Sequence, residues 1–283
     1  MKIRAIKTHK ITPADKNIFS ILDRYVVEIE ENSILAVTSK IVAICQGDIV
    51  DKKSISKRDL VKRESQFYLA PETSKYGITL TIKDNFLIPT VGIDESNIEN
   101  FYALWPRDIQ RTANKIRSYL TKRFELKKVG VIVTDSKTTP LRLGTTGFAL
   151  AHSGFLALKN YIGKPDLFGN DLHVTRANIA DGLAAAAVTL MGEGSEQTPI
   201  AVINDLKFVK FVNRNPSKKE LANLNIDIKD DLYGELIRNA NWKPGGMLSP
   251  KSWFIHTCQI RGGGILWKGG GIAVENEVFH SDE

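Results

Sequence analysis

Three carboxylates stand where an apolar segment of the sequence gives way to a loop. Asp94 follows LIPTVGI, Asp135 follows VGVIVT with Ser136 beside it, and Glu193 follows a long alanine-rich segment. Side chains at such junctions are held by an ordered element while they face a cleft. If the three carboxylates meet, they form a hard oxygen-donor set that suits Mg²⁺ or Mn²⁺, and Ser136 could complete it. Metals held in this way neutralise phosphate oxygens in phosphoryl transfer.

Arg142 lies a few residues after Asp135 and Ser136 in the segment TDSKTTPLR, where its guanidinium offers a fork for a carboxylate or a phosphate. Each residue also has a simpler interpretation. An Asp after a strand often forms a turn or caps a helix, Glu193 could face solvent, and Arg142 could be a surface or ion-pair residue. The residue pattern leaves both interpretations open.

Other catalytic and nucleotide-binding motifs do not occur in the sequence. Ser153 lacks a nucleophile elbow, and no P-loop surrounds Ser39-Lys40. The glycine triplets at 262–264 and 269–271 do not match a dinucleotide-binding fingerprint. The histidines show no metal-binding spacing and are interpreted as surface or satisfied core residues, namely His9, His152, His173, His256 and His280.

Length and composition indicate a globular protein. The 283 residues suffice for one large domain or two modest ones, and 42% are hydrophobic. No apolar run approaches a membrane span, and the N-terminus lacks a signal-peptide core, so we expect a cytoplasmic protein. A net charge of +7 favours an anionic partner, but the scattered basic residues and the lack of a nucleic-acid motif make nucleic acid a weak candidate. Cys45 and Cys258 are predicted to be buried reduced thiols.

Strands are predicted around the candidate acids. The sequence predicts strands over 129–134 and 199–205, and a strand followed by another strand or a short helix over 34–50. A hairpin is predicted over 79–93 around Asp84-Asn85. The tail, 259–279, is expected to contain short strands and turns between its glycines.

Helices are predicted over 108–124 and 175–194, with Thr175 as the N-cap and Gly192 as the end of the second. Residues 51–66 are expected to be helix or loop, and 217–240 helical in parts. Because strands and helices alternate irregularly and hairpin signals occur, the fold class is α+β, with mixed and antiparallel sheets and packed helices.

Four segments, in this order and spacing, resemble the F(420)-0:gamma-glutamyl ligase family. They are GIDESN (92–97), VIVTDSKTTPLR (131–142), DLFGNDLHVT (166–175) and IADGLAAAAVTLMGEG (179–194). An earlier segment, TSKIVAICQGDIV (38–50), resembles the family's K-I-V-S-K-x-x-G element. The resemblance implies a two-lobed ligase fold and one catalytic unit over 1–283. The lobes are expected at about 1–90 with 200–283, and at about 91–199.

The resemblance also implies roles for individual residues. Asp94, Asp135, Ser136 and Glu193 would bind two divalent metals, with Asp135 and Ser136 each serving one ion. The remaining implied residues would contact the nucleotide, namely Ser39, Lys40, Asn97, Met191, Gly192, Gly194 and Ser195. Arg142 would hold a carboxylate or a phosphate at the catalytic centre.

The implied reaction is GTP-dependent addition of L-glutamate to a deazaflavin acceptor, coenzyme F(420)-0, through an acyl phosphate. The implied cofactors are two Mg²⁺ or Mn²⁺ ions, with K⁺ as a further candidate, and the implied assembly is a homodimer. Two positions depart from the family pattern, Ala43-Ile44 and Thr138-Thr139, where the family has Ser-Lys and Gly-Arg. These departures keep two alternatives open, a folate-like or pterin-like acceptor and a non-catalytic relative that binds a nucleotide or flavin.

Overall fold

The computed structural model describes residues 1–247 and the short strands at 260–261 and 264–265. Its helices are α1 (Ile18–Tyr25), α2 (Ser39–Gln46), α3 (Lys57–Glu64), α4 (Ile109–Arg123), α5 (Ile179–Met191), α6 (Lys218–Ala222) and α7 (Gly234–Asn239). Among these helices, we find none with the length and apolar character that crossing a membrane requires.

The strands in the first half of the chain are β1 (Lys2–Ile6), β2 (Ser33–Thr38), β3 (Ile49–Asp51), β4 (Phe67–Tyr68), β5 (Leu80–Lys83), β6 (Phe86–Pro89), β7 (Phe101–Ala103) and β8 (Val129–Thr138). The later strands are β9 (Thr145–Ser153), β10 (Leu158–Asn160), β11 (Arg176–Asn178), β12 (Ile200–Asn204), β13 (Lys243–Pro244), β14 (Ile260–Arg261) and β15 (Gly264–Ile265). This mixture of helices with parallel and antiparallel strand pairs confirms the α+β prediction.

The chain divides into two compact units. The first contains residues 1–52 and 92–224, and the second contains 53–91 and 225–283. This division differs from the predicted lobe boundaries near residues 90 and 199, because 1–52 group with 92–224. The predicted acidic residues all belong to the first unit.

A five-stranded sheet forms the centre of the first unit, in the order β1-β12-β2-β8-β9. The pair β2 and β8 is parallel, and the other neighbours are antiparallel. Residues of β2 alternate between two cores: Leu35 and Val37 pack with α1, α2 and α4, while Ile34 and Ala36 pack with α5. Because successive strand residues point to opposite faces, the sheet is buried on both sides.

The second unit has a four-stranded antiparallel sheet in the order β13-β4-β5-β6, with β14 and β15 paired separately. Its small core contains Phe67, Ile82 and Trp242. The predicted hairpin is confirmed as β5 and β6. Asp84 and Asn85 connect the strands with φ of 49° and 65°, the left-handed pair that a two-residue hairpin turn needs.

Most sequence-based elements are confirmed, and two are corrected. The strand predicted over 129–134 continues as β8 to Thr138, because it pairs with β9 out to Thr138 opposite Thr145. Asp135 and Ser136 therefore lie within a strand. The pairing slips between Val133 and Thr134, and such bulges often re-aim side chains near functional sites.

The second correction concerns the start of α5. Thr175 is not the N-cap, because residues Arg176–Asn178 pair with β10 as β11. Asn178 caps the helix, and its side-chain oxygen accepts a hydrogen bond from the backbone N–H of Asp181. The helix ends at Gly192, as predicted.

Some predictions fall beyond the described residues. Cys45 is a buried free thiol, as predicted. Burial raises its pKa to about 12. Cys258, His256, His280 and most of 259–279 lie outside the described residues.

Candidate functional site

A cavity in the first unit gathers most of the predicted site residues. Its walls come from the N-terminal segment 8–11, the start of α2, the segment 92–104, the middle of β8, and the end of α5 with its following loop. The predicted residues that line it are Ser39, Lys40, Asp94, Asn97, Asp135, Ser136, Met191, Gly192, Glu193, Gly194 and Ser195. Residues that are distant in sequence therefore share one cavity.

Arg142 does not belong to this set. It lies in the exposed turn between β8 and β9, where its backbone N–H donates to the Thr139 carbonyl. Arg142 is outside the lining of the cavity within its own chain. Its predicted catalytic role stays a prediction.

Asp94 and Lys40 form an ion pair at the cavity wall. The ammonium Nζ of Lys40 lies 2.6 Å from Asp94 Oδ2 and also donates to the backbone oxygen of Ser96. Asp94 Oδ1 accepts from the backbone N–H and the hydroxyl of Ser96. Burial works to raise the pKa of Asp94, but Lys40 and Ser96 hold it below its ordinary value. Asp94 is therefore an ionised oxygen donor at neutral pH.

Asp135 is held by two N–H donors. Its Oδ1 accepts from the backbone N–H of Ser136 at 2.8 Å, and its Oδ2 accepts from the indole Nε1 of Trp105 at 2.5 Å. Burial raises the pKa of Asp135 to about 7, and the negative charge of Asp94 adds to the rise. The two N–H donors act to lower this pKa but do not offset the effect of burial.

Ser136 and Glu193 meet across the cavity. The hydroxyl of Ser136 donates to Glu193 Oε2 at 3.3 Å, and the hydroxyl of Thr145 donates to Oε1 at 3.3 Å. Glu193 is exposed, in the loop that follows α5. The oxygen donors thus form two pairs. Asp94 and Asp135 interact through the charge of Asp94, which raises the pKa of Asp135, and Ser136 donates a hydrogen bond to Glu193. Within the described residues, no group of three or more His, Cys, Asp or Glu side chains is gathered to hold a metal ion.

The loop after α5 folds over one side of the cavity. The side chain of Glu196 accepts from the Gly194 N–H, and the Asn97 side-chain amide donates to the Gly194 carbonyl at 2.8 Å. Gly192 has φ of 80°, and a Cβ there would lie 2.4 Å from the Glu196 carboxyl carbon. The positive φ favours a glycine at this position, and the Glu196 side chain packs against its backbone.

Sequence reasoning missed the N-terminal wall of the cavity. His9 lines the cavity, and its ring nitrogens lie 2.8 Å from Asp15 Oδ1 and from the Tyr25 hydroxyl. The backbone N–H of Thr8 donates to the Gln197 carbonyl and joins this wall to the loop after α5. The interpretation of His9 as a satisfied histidine is confirmed, but no motif indicated its place at the cavity.

Comparison with known proteins identifies the class of this site. The model of the family described as F420-0:gamma-glutamyl ligase matches residues 5–205. The chain therefore belongs to this family, and it is an amino-acid ligase. The resemblance seen in the sequence segments is confirmed.

Individual relatives carry a more specific name, coenzyme F420:L-glutamate ligase. The protein of Methanocaldococcus jannaschii is 35% identical over 190 residues, which are 62% of this chain and 76% of the relative. That of Methanosarcina mazei is 31% identical over 230 residues, 74% of this chain and 88% of the relative. That of Archaeoglobus fulgidus is 32% identical over 195 residues, with 64% and 78% covered.

Proposed function

We propose that this protein adds L-glutamate to coenzyme F420-0 in a GTP-dependent reaction. The supporting observation is the cavity that unites Lys40, Asp94, Asp135, Ser136 and Glu193 from four stretches of chain. The names of the relatives, coenzyme F420:L-glutamate ligases, support the choice of acceptor and amino acid.

A free carboxylate is a poor electrophile, so the acceptor carboxylate must first be activated. In the proposed reaction, a carboxylate oxygen attacks the γ-phosphorus of GTP, which gives an acyl phosphate and GDP. The unprotonated α-amine of glutamate then attacks the acyl carbon, and inorganic phosphate leaves as the amide forms. Neither step requires a protein nucleophile, so the chain contributes by positioning the reactants and balancing their charge.

The proposal includes a pair of divalent cations, which the chemistry of the oxygen donors supports. Asp94 and Asp135 offer carboxylate oxygens, and the contacts that hold them come from Lys40, Ser96, Ser136 and Trp105. Ser136 and Glu193 offer a hydroxyl and a carboxylate to the second ion. These are hard donors of the kind that Mg²⁺ and Mn²⁺ prefer. When bound, the ions would neutralise charge on the phosphate oxygens.

The other cavity residues would hold the nucleotide. Lys40 supplies a positive charge beside Asp94, and a phosphate oxygen could share its ammonium. Asn97 and the loop Met191–Thr198 already contact each other through the Gly194 carbonyl, and together they would enclose the nucleotide. The predicted roles of Ser39 and Ser195 belong to this same proposal, as does K⁺ as a further ion.

The proposed assembly is a homodimer. The turn between β8 and β9 exposes Leu141 and Leu143 completely, and Leu167 and Phe168 are 99% and 90% exposed. We propose that these two exposed apolar turns contribute to the dimer interface. A cytoplasmic location remains a prediction from the sequence.

The test is a ligation assay with purified protein, F420-0, L-glutamate, GTP and Mn²⁺. Mass spectrometry should detect an acceptor that has gained one glutamate, with one GDP and one phosphate per product. Asp135→Asn should lower the rate at least 100-fold while the unfolding transition persists, and Asp230→Asn, an exposed aspartate in the second unit, should leave the rate unchanged.

Each other outcome has a clear meaning. Product formed only with a pterin-type acceptor would replace the deazaflavin. GTP binding without phosphate release on either acceptor would favour a non-catalytic relative. Full activity of Asp135→Asn would remove the proposed role of this carboxylate.

A further inference from the structure

Trp105 joins the two segments that carry Asp94 and Asp135. Its indole is only 7% exposed, and its Nε1 donates to Asp135 Oδ2 at 2.5 Å. Two residues earlier, Ala103 exchanges both backbone hydrogen bonds with Asp94, at 3.0 and 2.8 Å. The segment 103–105 therefore fixes the backbone of Asp94 and contacts the carboxylate of Asp135.

The indole of Trp105 packs closely against Gly92 and lies near Phe148. A Cβ at Gly92 would lie 1.9 Å from Trp105 Nε1, so the ring lies directly against the Gly92 backbone. On its other side it tilts towards Phe148, with ring centroids 6.4 Å apart. Phe148 is fully buried and stands opposite Asp135 in the β8–β9 pairing. The position of the indole N–H is thus determined by packing, not by the hydrogen bond alone.

The chain on either side of Trp105 is also anchored. Leu104 donates its backbone N–H to the Asp48 carbonyl, and Arg107 donates its backbone N–H and its Nε to the Asp48 carboxylate. The Asp48 side chain is only 4% exposed. These bonds limit the movement of Trp105 relative to the sheet.

We propose that Trp105 is a positioning residue that orients the Asp135 carboxylate for cation binding. The proposal rests on the metal-binding part of the proposed function. With its Oδ2 fixed by the indole N–H, the carboxylate can present its remaining lone pairs in one orientation relative to Asp94. Groups that hydrogen-bond a metal ligand in this way typically change metal affinity 10-fold to 100-fold when they are removed.

The test compares matched variants by their binding of Mn²⁺. Trp105→Phe removes the N–H and keeps an aromatic ring, whereas Trp105→His restores a ring N–H. The control is Trp242→Phe, since Trp242 is also buried and donates its Nε1, but to the Ile237 carbonyl in the second unit. Electron paramagnetic resonance measures free Mn²⁺ in the presence of GDP, and thermal unfolding reports the fold.

We expect Trp105→Phe to raise the Kd for Mn²⁺ about 10-fold to 100-fold. Trp105→His should recover part of the affinity, and Trp242→Phe should match the wild type. A folded Trp105→Phe variant with wild-type affinity would overturn the positioning role and leave the proposed function intact. Failure of the wild-type protein to bind Mn²⁺ would overturn the metal proposal and this inference together.

A second measurement observes the Trp105 indole directly. In a ¹H–¹⁵N spectrum of the wild-type protein with GDP, the Trp105 indole N–H should shift when Mg²⁺ is added, while that of Trp242 should not. Spectra of Trp105→Phe and Trp242→Phe identify these two resonances among those of the four tryptophans. An indole N–H of Trp105 that does not respond to saturating Mg²⁺ would also overturn the positioning role.

Discussion

Lys40 places its ammonium 2.6 Å from Asp94 Oδ2, so a cation of the chain itself balances a carboxylate proposed to bind metal. The same ammonium donates to the backbone oxygen and the hydroxyl of Ser96. Lys40 therefore stabilises the acidic site when metal is absent, and a divalent ion would have to share Asp94 with it.

Replacing Lys40 should change both stability and its dependence on metal. Lys40→Gln should lower the free energy of unfolding by about 1 kcal/mol without metal, a modest loss because Asp94 is partly exposed. Mn²⁺ should then stabilise the variant more than it stabilises the wild type. Thermal unfolding with and without Mn²⁺ measures both effects, with the exposed Lys207→Gln as the control. If Mn²⁺ raises the unfolding temperature of Lys40→Gln and of the wild type equally, Lys40 and the metal do not compete for Asp94.

Glu193 allows a test of the donor atom itself. Glu193→Gln keeps an oxygen donor at this position, so this variant should keep a substantial part of the ligase activity. Glu193→Ala should lose activity at least 10-fold because no oxygen remains beside Ser136. Both variants should unfold within about 0.5 kcal/mol of the wild type, since the side chain is exposed. Equal activity of the two variants would exclude Glu193 as an oxygen ligand.

The exposed apolar turns predict how the protein assembles. Leu143→Asp combined with Phe168→Asp should convert a dimer to a monomer, because each change places a charge where an apolar contact would form. Size-exclusion chromatography with light scattering gives the mass. Val27→Asp, an exposed apolar position on another part of the first unit, should leave the mass unchanged. A monomeric wild-type protein at micromolar concentration would contradict the predicted homodimer.

Sequence patterns predicted the elements whose signals are local. The apolar run in β2 indicated a strand, and Asp84-Asn85 indicated a hairpin, because both signals depend on neighbouring residues. The extent of β8 could not be predicted in the same way. Its polar residues 135–138 remain in a strand because β9 supplies the hydrogen-bonding partners.

In the candidate site, too, the sequence predicted residues that belong to recognisable segments and missed those whose role depends on distant contacts. The acids and the loop after α5 carried recognisable segment patterns, and they do line one cavity. Trp105 and His9 had no such signal. Their roles depend on contacts with Asp135, Gly92, Asp15 and Tyr25 that only the folded chain creates.

Buried His152 predicts a loss of stability in acid. Its side chain lies edge-on to Phe155 with 2% exposure, and burial lowers its pKa to about 4 although Glu220 acts to raise it. The unfolded chain binds this proton near pH 6.5, so the free energy of unfolding should fall as the pH drops from about 6.5 to about 4, by roughly 3 kcal/mol in total. Urea unfolding of the wild type and His152→Gln at several pH values measures the difference. The two curves should converge in acid, whereas the exposed His173→Gln should run parallel to the wild type.

Asn178 and Thr175 provide a matched test of where α5 begins. Asn178 accepts from the Asp181 N–H and donates to the Asp181 carboxylate, which in turn accepts from Ala149 N–H on β9. Asn178→Ala should therefore cost about 1 kcal/mol of unfolding free energy, and Thr175→Ala less than about 0.5. Denaturant unfolding compares the two. Because the cavity residues lie at the opposite end of α5, Asn178→Ala should leave the KM for GTP in the proposed reaction unchanged. A larger loss from Thr175→Ala would contradict the observed cap.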